Sequence, residues 1–134
     1  MGVRLMQHTI SDAEWGIMQV LWESGATLTS AEIVLRVNNK RDRSPRTIKT
    51  LLQRLVAKGF VAYTVDDADS RVYHYVPKVS QEECIQRENQ EFVSLYYKGD
   101  VGGMLARFIG DSDLSPEQIK ELTALLNAKG EDTP

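Results

Sequence analysis

Eight basic residues fall within the 23 positions from Arg36 to Lys58: Arg36, Lys40, Arg41, Arg43, Arg46, Lys49, Arg54 and Lys58, against the single acid Asp42. The segment alone is +7, so the remainder of a chain with net charge −3 carries −10. Such a concentration of cations draws a polyanion, and nucleic acid is the first candidate. Arginine and lysine pair with guanine edges, glutamine with adenine, and a threonine methyl packs on thymine, while hydroxyls and further arginines suit phosphate oxygens. On this chemistry Arg43, Ser44, Arg46, Thr47, Lys49, Thr50, Gln53, Arg54 and, further along, Arg71 are candidates for contact with base edges or phosphate.

These side chains need a scaffold with two faces, and the local sequence predicts one. Ser44 suits a helix N-cap, Pro45 the first helical position and Gly59 the left-handed turn that ends a helix, so a helix is predicted from Pro45 to Lys58. At about 100° per residue with Arg46 at zero, Lys49, Gln53, Thr50, Arg54 and Thr47 share an arc from about 300° through zero to about 100°. Ile48, Leu51, Leu52 and Leu55 lie opposite, with Val56 at the rim. The polar arc taken alone also fits a solvated helix face, or a face that docks on an acidic protein partner.

The flanks favour nucleic acid. Upstream, Ser11 and Glu14 form a capping-box pattern opening a helix with Trp15, Met18, Leu21 and Trp22 on its apolar side. After Gly25, a short Thr27-Leu28 strand is expected, then a second capping box, Thr29 with Glu32, before a helix with Ile33, Val34 and Val37. Beyond Gly59, Val61 to Val65 and Val72 to Val76 are rich in valine and tyrosine and predict a β-hairpin around Asp66 to Arg71. Helix, short strand, helix, basic helix and hairpin is the order of a winged helix-turn-helix, whose third helix enters the major groove. The fold class is α+β, mainly α with a small hairpin. Asp66, Asp67 and Asp69 outnumber Arg71 in the hairpin turn, which predicts a weak wing contact at best.

Ser11-Asp12-Ala13-Glu14-Trp15 with Leu21-Trp22, and Ser44 through Leu52 with Arg54-Leu55 and Lys58-Gly59-Phe60, resemble the BlaI/MecI/CopY family of bacterial winged-helix repressors. The resemblance implies a homodimeric repressor on a palindromic operator of a β-lactam-resistance or metal-response operon. It places Arg46, Lys49 and Thr50 toward the bases and Thr47 against the backbone, and on that docking Gln53 is expected to join the base readers and Arg43, Ser44, Arg54 and Arg71 to meet phosphate with Thr47. Family members commonly carry an aromatic residue where this chain has Arg43. In the penicillinase-repressor branch a membrane sensor protease system triggers cleavage within the dimerisation region, and the corresponding bond here is Arg107 to Phe108, with Arg107 standing where relatives show asparagine. The copper-responsive branch has paired cysteines near its C-terminus, and the tail NAKGEDTP has none.

The charge divides the chain. Residues 1–78 hold eleven Lys/Arg and eight Asp/Glu, whereas residues 79–134 hold five and eleven, so a winged domain at 1–78 and an acidic helical dimerisation domain at 79–134 are expected. Three helices are predicted in the acidic part: Gln81 to Lys98, Gly102 to Ile109 and Ser115 to Asn127. Their apolar positions include Phe92, Leu95, Tyr96, Leu105, Phe108, Ile109, Ile119, Leu122, Leu125 and Leu126. About 50 residues bury too little surface to stand alone, so these faces are assigned to a dimer interface in preference to folding back on the winged domain.

Other chemistry is weakly supported. Gly110-Asp111-Ser112-Asp113 resembles a hydrolase serine motif only superficially, and loop capping accounts for it. His8, expected in a flexible arm, and His74, expected on a strand, fit no zinc spacing. Cys84 is expected to be a buried apolar residue whose acidic neighbours Glu82, Glu83 and Glu88 raise its pKa. Tyr63, Tyr73 and Tyr75 are expected at alternating positions of a core hairpin. No metal, cofactor or enzymatic activity is expected. One cysteine, no apolar window of about eighteen residues and no leader pattern predict a cytoplasmic protein without membrane insertion.

Overall fold

The structure, a computed structural model, describes residues 9–38 and 43–132. His8 and the basic-run residues Lys40 and Arg41, with Asp42, lie outside the described residues. The elements are α1 (Asp12–Ser24), β1 (Leu28–Thr29), α2 (Ser30–Asn38), α3 (Pro45–Lys58), β2 (Val61–Val65), β3 (Tyr73–Pro77), α4 (Gln81–Tyr97), α5 (Val101–Asp111) and α6 (Pro116–Glu131). Winged-helix order and the α+β class are both as expected from the pattern of elements. The chain divides into two compact units, Met1–Glu88 and Asn89–Pro134, and the division falls inside α4 rather than at 78/79.

Local chemistry accounts for the helix boundaries of the first unit. The Ser11 hydroxyl accepts from the Glu14 amide while Glu14 Oε1 accepts from the Ser11 amide, closing the predicted capping box. Thr29 and Glu32 do the same for α2, and Gly25 ends α1 at φ 65°. Ile17, Met18, Val20 and Leu21 of α1, Ile33 and Val37 of α2, and Ile48, Leu51, Leu52 and Leu55 of α3 meet in one core with Phe60 and Val61. Val79 and Cys84 belong to the same core, and the Trp22 indole donates to the Val79 carbonyl at 2.9 Å. These contacts carry the first turns of α4 into the winged unit and set the boundary later than charge composition suggested. Burial pushes the Cys84 thiol up; Arg87 opposes the shift, and Glu83 and Glu88 add to it.

The sheet has the order β1-β3-β2, all antiparallel. Two strands begin and end one residue later than expected, β1 at Leu28–Thr29 and β3 at Tyr73–Pro77, because Val61 pairs with Pro77 and Leu28 with Tyr75. Alternation places Leu28, Val61, Tyr63, Val65, Tyr73 and Tyr75 on one face. Only the inner end of that face is core: Leu28 and Val61 are buried, whereas Tyr63 and Val65 are exposed. The three tyrosines therefore form a half-exposed cluster and not the interior of the hairpin, with Tyr63 stacked on Tyr73 at 4.6 Å between ring centroids.

In the second unit the end of α4 carries Phe92 and Val93, and Phe92 contacts Tyr96, Tyr97 and Phe108 at centroid distances of 5.0, 5.9 and 5.8 Å. Lys98 and Gly99, both left-handed, turn the chain, and the Asp100 carboxylate caps α5 by accepting from the Gly103 amide. Ser115 and Gln118 close a capping box on α6. Neither α5 nor α6 contains a buried residue.

Candidate nucleic-acid interface

α3 runs over the predicted residues, with Ser44 as N-cap accepting from the Thr47 amide and Gly59 at φ 89° closing its end. The four apolar residues that the 3.6-residue period assigns to one side are all buried, which fixes the rotation of the rod about its axis. Arg46, Lys49, Thr50, Gln53 and Arg54 are consequently all exposed on the other side. The helix is thus held by its aliphatic face and offers a row of cationic, amide and hydroxyl groups to solvent.

At its N-terminus the phosphate candidates are arranged in detail. The Ser44 and Thr47 hydroxyls lie 2.9 Å apart and share a hydrogen bond, so one of their two protons remains to be donated outward. Arg43 is half-buried, and its amide donates to the Asn38 side-chain oxygen at 3.3 Å, tying the start of α3 to the end of α2. The amide groups of the first helical turn add a favourable field for an anion.

Two cations of the sequence inventory are engaged elsewhere. Lys58, counted with the basic run, points to the other end of the helix, where its ammonium donates to Glu14 Oε1 at 2.7 Å and to the Thr9 carbonyl at 2.9 Å. Glu14 is 1% exposed. Burial pushes its carboxyl up, but the hydrogen bonds from Lys58 and from the Ser11 amide, with the Lys58 charge, outweigh burial and hold it below the ordinary glutamate range. Lys58 is therefore part of the packing between α1 and α3 and not of the outward surface. The pairing spans 44 residues in sequence, and only the tertiary structure reveals it.

Arg71, the phosphate candidate of the wing, is 88% exposed on its side chain, yet its Nε and Nη2 both donate to the Asp69 carboxylate at 3.0 and 3.2 Å. Asp69 is held below the ordinary aspartate range, first by the Arg71 side chain and then by its amide. The spacing Asp-x-Arg was the available signal for this pair. Asp66 organises the same turn: Oδ2 accepts from the amides of Ala68 and Asp69, while Oδ1 lies 2.8 Å from His74 Nε2. The wing acids are thus largely consumed by the turn itself. Among the described residues, no three His, Cys, Asp or Glu side chains converge as metal ligands do.

A profile of the penicillinase repressor family matches residues 10–128. The chain belongs to the penicillinase repressor family. It is 31% identical over 122 residues to the methicillin resistance regulatory protein MecI of Mammaliicoccus sciuri, covering 91% of this chain and 96% of that one. It is 32% identical over 117 residues to the penicillinase repressor of Bacillus licheniformis, covering 87% and 88%. Among solved structures, an S. aureus MepR mutant bound to an oligodeoxyribonucleotide matches with TM-score 0.54 at 19% identity, over 98% of this chain and 85% of that one, and shares the winged-helix fold. With this family membership the protein is a DNA-binding transcriptional repressor. The family match spans both units, so the acidic helices are part of the repressor architecture and not an unrelated appendage.

Proposed function

We propose that this penicillinase-family repressor acts as a homodimer on a palindromic operator, each subunit laying α3 in a major groove and blocking transcription by occupancy. The observation that carries the reading is the division of α3 into a fully buried aliphatic face and a solvent face bearing Arg46, Lys49, Thr50 and Gln53. In this arrangement those four residues read base edges, while Ser44, Thr47, Arg43 and Arg54 hold phosphates. Arg71 contributes little, because a phosphate must first displace Asp69.

The second unit supplies the dimer. Leu95 and Leu125 are 73% and 66% exposed, and Tyr96, Leu105, Phe108, Ile109, Ile119 and Leu126 are exposed with them. Phe92 is exposed at the head of this surface and Leu122 is half-buried. Apolar side chains in this number find cover most economically against the same faces of a second copy. Relief of repression by a sensor protease belongs to the same reading. The Arg107 to Phe108 bond lies within the continuous helix α5, with Arg107 paired to Asp111 at 2.8 Å and Phe108 against Phe92, so cutting requires local opening of that helix.

Operator binding measured across salt concentrations tests the core of the proposal. If a dimer neutralises about eight phosphates, log K falls against log salt with a slope near −7. Arg46→Ala is expected to cost roughly 1 to 3 kcal/mol on operator and to relax base preference, whereas Arg54→Ala weakens operator and random DNA alike. A flat salt response would transfer the polar face of α3 to an acidic protein partner.

A further inference from the structure

The two threonines on the outer side of α3 spend their hydroxyls differently. Thr47 shares its hydroxyl with Ser44 at the open N-terminus, where a proton remains for an outside acceptor. Thr50 turns its hydroxyl back along the helix and donates to the Arg46 carbonyl at 3.0 Å. A threonine hydroxyl has one proton, and in Thr50 it is already committed to the backbone. The bond also selects one of the two side-chain rotamers open to a helical threonine, with the oxygen against the preceding turn and the methyl in the remaining staggered position. Thr50 is exposed, on the arc between Arg46, Gln53 and Arg54; with its proton spent the hydroxyl can only accept, and the methyl beside it is an immobilised apolar group.

Thymine is the base that presents an apolar group, its C5-methyl, in the major groove. We infer that Thr50 is a specificity-determining residue that reads a thymine methyl in each half-site, by apolar contact rather than by donating a hydrogen bond. The inference rests on the major-groove docking proposed above. It divides the base-reading set by chemistry: Arg46, Lys49 and Gln53 present donors to base edges, and Thr50 selects by shape and methyl contact.

The experiment uses the full chain and the operator fragment that the protein itself retains from genomic DNA, with each thymine replaced in turn by deoxyuridine, which removes the methyl and keeps the pairing. Deoxyuridine at one symmetric position is expected to weaken native binding roughly fourfold per half-site, the value of one buried methyl group. Thr50→Val keeps the methyl without the hydroxyl and is expected to bind within about twofold of native. Thr50→Ser keeps the hydroxyl without the methyl; it is expected to lose about the same factor as the deoxyuridine operator and to be insensitive to that replacement, since the lost contact cannot be lost twice. Thr50→Val losing as much as Thr50→Ala would overturn the inference by showing that the hydroxyl is needed. A deoxyuridine scan with no position to which native is sensitive and Thr50→Ser is not would overturn it too. Those outcomes leave Arg46→Ala still relaxing base preference, so the docking reading survives them. If native protein shows no preference for its operator over random duplex, docking and the thymine contact fall together.

Discussion

The winged unit and the acidic unit handle hydrophobic surface in opposite ways. From α1 to the first turns of α4, apolar residues at helical and strand spacing end up in a closed core, and the carboxylate buried beside it, Glu14, is matched by Lys58. In α5 and α6 the apolar periodicity is comparable, yet no residue of either helix is buried. The difference teaches that amphipathic pattern specifies which face wants cover but not what provides it. The first unit finds cover within its own chain through three helices and a sheet, whereas the second has too few elements to enclose a centre.

The largest expected effect comes from attacking the open faces. Replacing both Leu125 and Leu126 by glutamate is expected to convert a dimer to a monomer in sedimentation equilibrium. Operator affinity should fall by a factor on the order of 10² to 10⁴ through loss of effective concentration, while the winged unit keeps its thermal transition. Unchanged mass and affinity would show that these faces are not an interface, and the contrast between closed and open units would lose its meaning.

Within the closed unit, Lys58→Met leaves Glu14 buried without its cation. The expected cost is about 3 kcal/mol in urea unfolding near neutral pH. The pH dependence has a definite sign. Glu14 is held below the ordinary glutamate range in the folded protein, so its stabilising contribution is full above that range and drains away as pH falls through the folded value. The gap between native and Lys58→Met is therefore expected to narrow in acid, and a gap that widens would contradict the assignment of the buried pair.

The smallest effect concerns the wing, where an internal pair competes with function. Asp69→Asn retains an oxygen for the Arg71 amide but removes the charge that holds the guanidinium. Because exposed pairs of this kind are worth under about 1 kcal/mol, affinity for any DNA is expected to rise only about threefold, with a salt slope steeper by about one per subunit. No change in slope would mean that the wing stays away from phosphate whatever its charge.

Legibility followed the range of the interactions. The span of α3, its caps and both upstream capping boxes depend on residues within a turn or two of each other, and each was predictable to within a residue. The register of β3 and the division of α4 depend on distant partners, Val61 with Pro77 and Trp22 with Val79, and were displaced accordingly. The cationic inventory erred for the same reason. Charge counting treats Lys58 and Arg46 alike, although one is drawn to a carboxylate of α1 and the other faces solvent.

The amino-acid sequence alone determined the amphipathic rod, its ends and which arc carries the polar groups, because 3.6-residue periodicity and capping are local physics. Only the tertiary structure decided which charges remain available on that arc, since ion pairs such as Glu14 with Lys58 form across segments that meet only after folding. It also decided that the Thr50 hydroxyl turns back to the Arg46 carbonyl, a choice between staggered rotamers that residue identity leaves open.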